Sequence, residues 1–96
     1  MLPYPQCNYT NITTTTPVAV SSRGGVVLHA ITFNKPVATG TVTIYDNPTA
    51  TSTQVIGTIT VPASPMPVTL FYDVNCGQGL YIVEGVVAQD ITVSWS

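Results

Sequence analysis

The stretch Gly25 to Asp46, GVVLHAITFNKPVATGTVTIYD, constrains the fold more than any other part of this chain. Val26 to Phe33 is apolar or β-branched at nearly every position. Thr41 to Tyr45 alternates, with Val42 and Ile44 one way and Thr41, Thr43 and Tyr45 the other. A period of two marks a half-buried strand, because successive side chains leave opposite faces of the pleat. In the first run it groups Val27, His29, Ile31 and Phe33 on one face and Val26, Leu28, Ala30 and Thr32 on the other. Pro36 lacks a ladder donor and Gly40 can take positive φ, so the segment between the runs is a connection. The pair is expected to form a hairpin, with the later runs as its partners.

Those runs follow the same rule. Residues 1–11 hold Pro3, Pro5, Asn8 and Asn11 and no charge, and are expected as an extended N-terminal arm. Ile12 to Val20 is a strand candidate that Pro17 confines to an edge or a break. Gln54 to Val61 places Val55, Gly57, Ile59 and Val61 together, and Val68 to Val74 places Val68, Leu70, Tyr72 and Val74 together. Between those two, Pro62 to Pro67 is stiffened by three prolines. Leu80 to Val83 is a short strand, and Ile91, Val93 and Trp95 share a face at the end. About seven or eight short strands, with turn signals roughly every 8–12 residues and no helical period, predict an antiparallel β-sandwich or jelly-roll-like barrel. Residues 12–96 form its single domain. Its expected core is Val27, Ile31, Phe33, Val42, Ile44, Ile59, Val61, Leu70, Tyr72, Leu80, Ile82, Ile91 and Val93.

Charge is scarce. Only Arg23, Lys35, Asp46, Asp73, Glu84 and Asp90 are charged, 6% of the 96 residues, against about 25% in an ordinary soluble domain. Polarity comes from Thr, Ser, Asn and Gln instead. Such a surface is cheap to desolvate, which suits a protein packed against others. Two cations cannot neutralise a run of phosphates, so nucleic acid is not an expected partner. No apolar run has the length of a membrane span. The opening MLPYPQCNYTN has neither a basic n-region nor an unbroken apolar stretch, so it does not read as a signal peptide, and maturation in the cytosol, or export by other means, is expected. Cys7 and Cys76 are expected as free thiols, and the sequons at Asn8 and Asn11 as chance matches.

Candidate chemistry is thin. His29, the single histidine, is expected to be buried and bonded to backbone or a tyrosine. A catalytic base needs a nucleophile and an orienting group, and Ser21 and Ser22 sit in no strained turn motif. One His, two distant Cys and four scattered carboxylates show no metal-ligand spacing, so neither metal nor cofactor is expected. Asp73 and Glu84 could pair for glycoside hydrolysis but read as rim or turn residues, and no enzymatic activity is expected. Tyrosine and tryptophan remain as contact groups. Tyr45 and Tyr72 read as cross-strand packing, and Tyr4 and Tyr9 on the arm as contacts with another subunit.

The ordered set GVVLHAITFNKP, TGTVTIYDN, IGTITVPA, VTLFYDVNCGQGLYIV and DITVSW, over roughly residues 25–95, resembles small β-sandwich virion proteins of tailed bacteriophages. The resemblance rests on Leu28-His29-Ala30-Ile31, Tyr45-Asp46, Gly57 before Ile59, Tyr72-Asp73-Val74, Gly79-Leu80 and Asp90-Ile91-Thr92-Val93. It implies a non-enzymatic capsid decoration or cement protein on the outer surface of the virion, assembled in the host cytoplasm as a homotrimer and bound to the major capsid protein. A fibre, neck or tail accessory protein, or a module for host glycans displaying Tyr45 and Tyr81 on loops, is the neighbouring reading. The interface residues expected on the arm are Leu2, Tyr4, Tyr9 and Ile12.

Overall fold

A computed structural model describes residues 7–49 and 54–96. Eight strands form: β1 Asn8–Ile12, β2 Val18–Ser21, β3 Val26–Lys35, β4 Thr41–Tyr45, β5 Val55–Thr60, β6 Val68–Cys76, β7 Leu80–Gly85 and β8 Asp90–Trp95. They make two four-stranded antiparallel sheets, ordered β1-β8-β3-β6 and β2-β7-β4-β5. The pairs β1–β8, β2–β7, β3–β6 and β4–β5 are those of one long hairpin folded at its middle. Rolling that hairpin adds the pairs β3–β8 and β4–β7 and closes two sheets face to face. This is the topology of the eight-stranded jelly roll.

The roll corrects the expected hairpin. β3 and β4 do not pair; the chain crosses from one sheet to the other between them, as it does at every connection except β4–β5. The arm is corrected too. Asn8 to Asn11 belong to β1, paired with β8 from Asn8↔Trp95 to Ile12↔Ile91. The run Ile12–Val20 divides into two elements with Pro17 in the gap, and β1 and β2 are edge strands of different sheets.

The core lies between the sheets and contains Ile12, Leu28, Ile31, Phe33, Val42, Ile44, Val61, Cys76, Leu80, Ile82, Ile91 and Val93. Ile59, Leu70 and Tyr72, expected inside, are half-buried against it. Val27 is not part of it, and Leu28 is. The reason is a β-bulge. Leu28 pairs with Trp95 and Ala30 with Ser94, so His29 is an extra residue against β8. One extra residue reverses the alternation: Val26 and Leu28 point inward before the bulge, Ile31 and Phe33 after it. The same happens in β5, where Ile44 pairs with Gly57 and Tyr45 with Val55. There the extra residue Ile56 packs on the core, and Val55 is exposed rather than inward.

Polar groups tie the corners. Asp46, at the end of β4, accepts hydrogen bonds from the amides of Gly77, Gln78 and Gly79 at 3.3, 2.8 and 3.4 Å, fastening the β6–β7 turn. At the opposite end of the strands Glu84 is only 2% exposed, not the rim residue expected. Its Oε1 accepts from the amide of Gln89 at 2.6 Å, and its Oε2 has no partner. Burial pushes its carboxyl up to about 7, with the bond from Gln89 opposing the shift and the charge of Asp90 adding to it. Gln89, also buried, clasps both backbone groups of Val37 at 2.7 and 2.9 Å. Gly40 is needed for this, since a Cβ there would lie 2.1 Å from Gln89 Nε2.

Candidate functional site

The roll has two flanks of edge strands, β1 with β2 and β5 with β6, and the second of these carries a groove. The groove is about 400 Å³, with Phe33, Ile59 and Leu70 as floor and the segment Val61, Pro62, Ser64, Pro65 and Met66 as wall. Pro36 and Val68 complete one end. None of the lining residues is charged. Among the described residues neither strand pairs along the flank, and an unpaired edge is the template for an added strand. Met66, 76% exposed, stands on the wall. Phe71, 79% exposed, lies further along β6 on the outer face of the first sheet.

The groove's shape is inherited from the Glu84 corner. Val61, in its wall, donates from its amide to Gly40 O at 2.9 Å and accepts at its carbonyl from the Thr39 amide at 3.1 Å. The β3–β4 crossover that makes these bonds is the one Gln89 holds at Val37. Phe33 arrives in the floor because the His29 bulge has turned β3 to present it inward.

The expected interface residues are dispersed. Leu2 and Tyr4 lie outside the described residues. Tyr9 is 77% exposed on β1, at the far edge of the first sheet from the groove. Ile12 is a core residue at 3% exposure, paired beside Ile91 of β8 on the inner face of the sheet, and cannot serve as an external contact. Tyr45 and Tyr81 do meet, edge to face at 6.3 Å, but as half-buried cross-strand partners on β4 and β7 rather than on loops.

His29 is half-buried and bonded to neither backbone nor tyrosine. Its Nδ1 lies 3.1 Å from Asp73 Oδ1 and its Nε2 2.9 Å from Ser96 Oγ. Asp73 is a residue of β6 at φ 50°, and it reaches His29 across the irregular pairing between Leu28 and Ala30. The row Asp73–His29–Ser96 has the connectivity of a hydrolytic triad. The Ser96 amide is spent on Val27 O at 3.0 Å, so it is not free to hold an oxyanion. The groove shares no residue with this row. Its evident work is to clamp the bulge, joining β3, β6 and the residue after β8.

Asn11, Asn34 and Asp90 form a polar patch at the other end of that face. Asn11 and Asn34 donate to Asp90 Oδ1 at 2.8 and 3.1 Å, which holds its carboxyl below the usual range, with burial opposing the shift and Lys35 adding to it. Among the described residues no three His, Cys, Asp or Glu side chains are placed to hold a metal ion. No helix among them is long and apolar enough to cross a membrane. Cys7 is an exposed free thiol and Cys76 a buried one, whose pKa is raised by burial and by the charge of Asp46 against a lowering backbone bond at Leu28.

Sequence reading missed Pro36, Met66 and Phe71. Phe71 had a signal: it sits among Thr69 and Asp73 on the polar side of an alternating strand. Pro36 and Met66 had none, since only the roll brings their two connections to one place. Compared with protein-family models, with curated proteins and with solved structures, the chain matches none.

Proposed function

We propose that this chain is a non-enzymatic structural component of a bacteriophage virion, a capsid decoration or cement protein. In this reading it sits on the outer surface of the shell as a homotrimer, assembled in the host cytoplasm. It binds the major capsid protein across subunit boundaries and stabilises the shell by mass action. Neither nucleic acid, membrane nor cofactor takes part. The observation that carries the reading is the open flank: an uncharged groove between two unpaired strand edges, on a molecule with almost no charge elsewhere. Jelly rolls serve as capsid and lectin domains alike, which supports the class of role by analogy of fold.

The test is co-sedimentation of the purified protein with empty capsid-like shells, with native mass measured by light scattering beforehand. Saturable binding to shells, and a higher melting temperature of the decorated shell, is the expected outcome. A stable monomer that ignores shells overturns the reading. The second reading, a module for host glycans, is favoured by the Tyr45–Tyr81 pair on the outer face of the second sheet. A glycan screen in which Tyr81→Ala abolishes a signal would move the weight there.

A further inference from the structure

We propose that the groove between β5 and β6 receives the N-terminal segment Met1–Gln6 of a second copy of this chain. The inference rests on the proposed function only in taking the open flank as a docking surface, and its test needs no shell.

Three observations carry it. The first is chemical match. The segment MLPYPQ has no charged side chain, and neither does the groove. Leu2 and Tyr4 would bury apolar surface against Phe33, Ile59, Met66 and Leu70. The second is backbone pattern. In an extended chain alternate residues turn their N–H groups to the same side. Pro3 and Pro5 are alternate residues, so both missing donors would face away from the strand edge while Leu2, Tyr4 and Gln6 present theirs to it. Leu2 and Tyr4 each precede a proline, which disfavours the helical region and holds down the cost of binding extended.

The third is reach, and it decides between the chain's own groove and a neighbour's. Asn8 pairs with Trp95, Trp95 with Leu28, and Leu28 with Val74. Asn8 is therefore three strand spacings from β6, about 14 Å. Leu70 lies four residues further along β6, about 13 Å more at right angles. The diagonal is roughly 19 Å. β1 runs from Asn8 towards the level of Ile91, Phe33 and Val68, the end of the sheet where the groove lies, so a chain continued back from Asn8 leads away from that end. Tyr4 is four residues from Asn8, at most about 14 Å of backbone, and Leu2 six, at most about 21 Å, and only on a straight path that the sheet itself blocks. A reversal around the sheet uses up that span, so the contact is between copies. An arm in a neighbour's groove can be exchanged reciprocally in a two-fold dimer or passed head to tail around a ring, of which the proposed trimer is one.

The experiment is complementation, read by light scattering and sedimentation on the full chain. Wild type is expected to associate. Leu2→Asp/Tyr4→Asp, which spoils the arm, and Met66→Asp, which spoils the groove, are each expected to run at the 10.1 kDa monomer mass. Mixed in equal amounts the two variants should recover a two-chain complex, because one supplies an intact groove and the other an intact arm. Association weakened by less than about tenfold in the arm variant, or a mixture that stays monomeric, overturns the proposal. A monomeric wild type overturns it as well, and leaves shell binding by the monomer to be judged separately. Circular dichroism of each variant confirms that the fold is intact; if Met66→Asp unfolds, Ser64→Arg on the same wall replaces it.

Discussion

Glu84 and Met66 sit at the same corner of the sandwich and treat water in opposite ways. Glu84 is a carboxylate withdrawn from solvent, with one oxygen unpartnered. Met66 is an apolar side chain held out into it. The first cost is borne inside the fold and the second on its surface, and a chain of hydrogen bonds connects them: Glu84 to Gln89, Gln89 to Val37, and the Thr39–Gly40 turn to Val61 in the groove wall. The corner's polar half shapes its apolar half. A groove meant to receive a partner needs a wall that does not collapse inward to cover its own apolar floor. A polar clasp at its base, made by the buried Gln89 side chain on both backbone groups of Val37, supplies that rigidity.

The largest effect is expected at the groove floor, where Phe33 is also a core residue. Phe33→Ala should cost about 3–5 kcal/mol in urea unfolding, as a buried aromatic lost from a packed core. Next comes the carboxylate. With an ordinary value of 4.5 and about 7 in the fold, Glu84 is protonated in the native state when the unfolded chain has already lost the proton. Stability should therefore fall as pH rises through that window and level off above it. Glu84→Gln should abolish that fall and raise stability at pH 8 by up to about 3 kcal/mol, with little change below pH 4. A parallel pH profile in wild type and variant would sink the assignment. Asp90 acts with the opposite sign: its lowered value favours folding above the ordinary carboxylate range and is lost as acid protonates it.

Gly40→Ala tests the linkage itself. The new methyl displaces the Gln89 amide, and melting should report a loss of about 2 kcal/mol. The same variant should weaken docking in the groove, which a purely local defect would not do. Met66→Asp is the reverse case, an exposed position where stability should move by less than about 0.5 kcal/mol while association is lost. The smallest effect is chemical. Cys7 should react at once with a thiol reagent in native protein, and Cys76 only at the rate at which the fold opens.

Strand positions were legible where alternation is regular. Thr41–Tyr45 is β4 residue for residue, and Val42, Ile44, Leu80, Ile82, Ile91 and Val93 are buried as their patterns require. Legibility failed at Val27 and Val55, each just before a bulge. A bulge adds a residue without marking it, so every side chain beyond it is counted onto the wrong face. It failed at Glu84 because a carboxylate before a glycine reads as a turn residue, and only the packing of the β7–β8 connection encloses it. The candidate site was the least legible. Phe33, Pro36, Ile59 and Met66 come from four separate places in the chain.

By itself the sequence determined an all-β chain, its strand count, its near absence of charge and the uncharged composition of its first six residues, because these depend on residue type and local period. The tertiary structure decided which strands pair, that β3 and β4 part into different sheets, that Asn8 to Ile12 close the first sheet, and that β5 and β6 are left open together. Those outcomes depend on how a long hairpin rolls to bury both its faces at once, and contacts between distant residues set that, not the preference of any one segment.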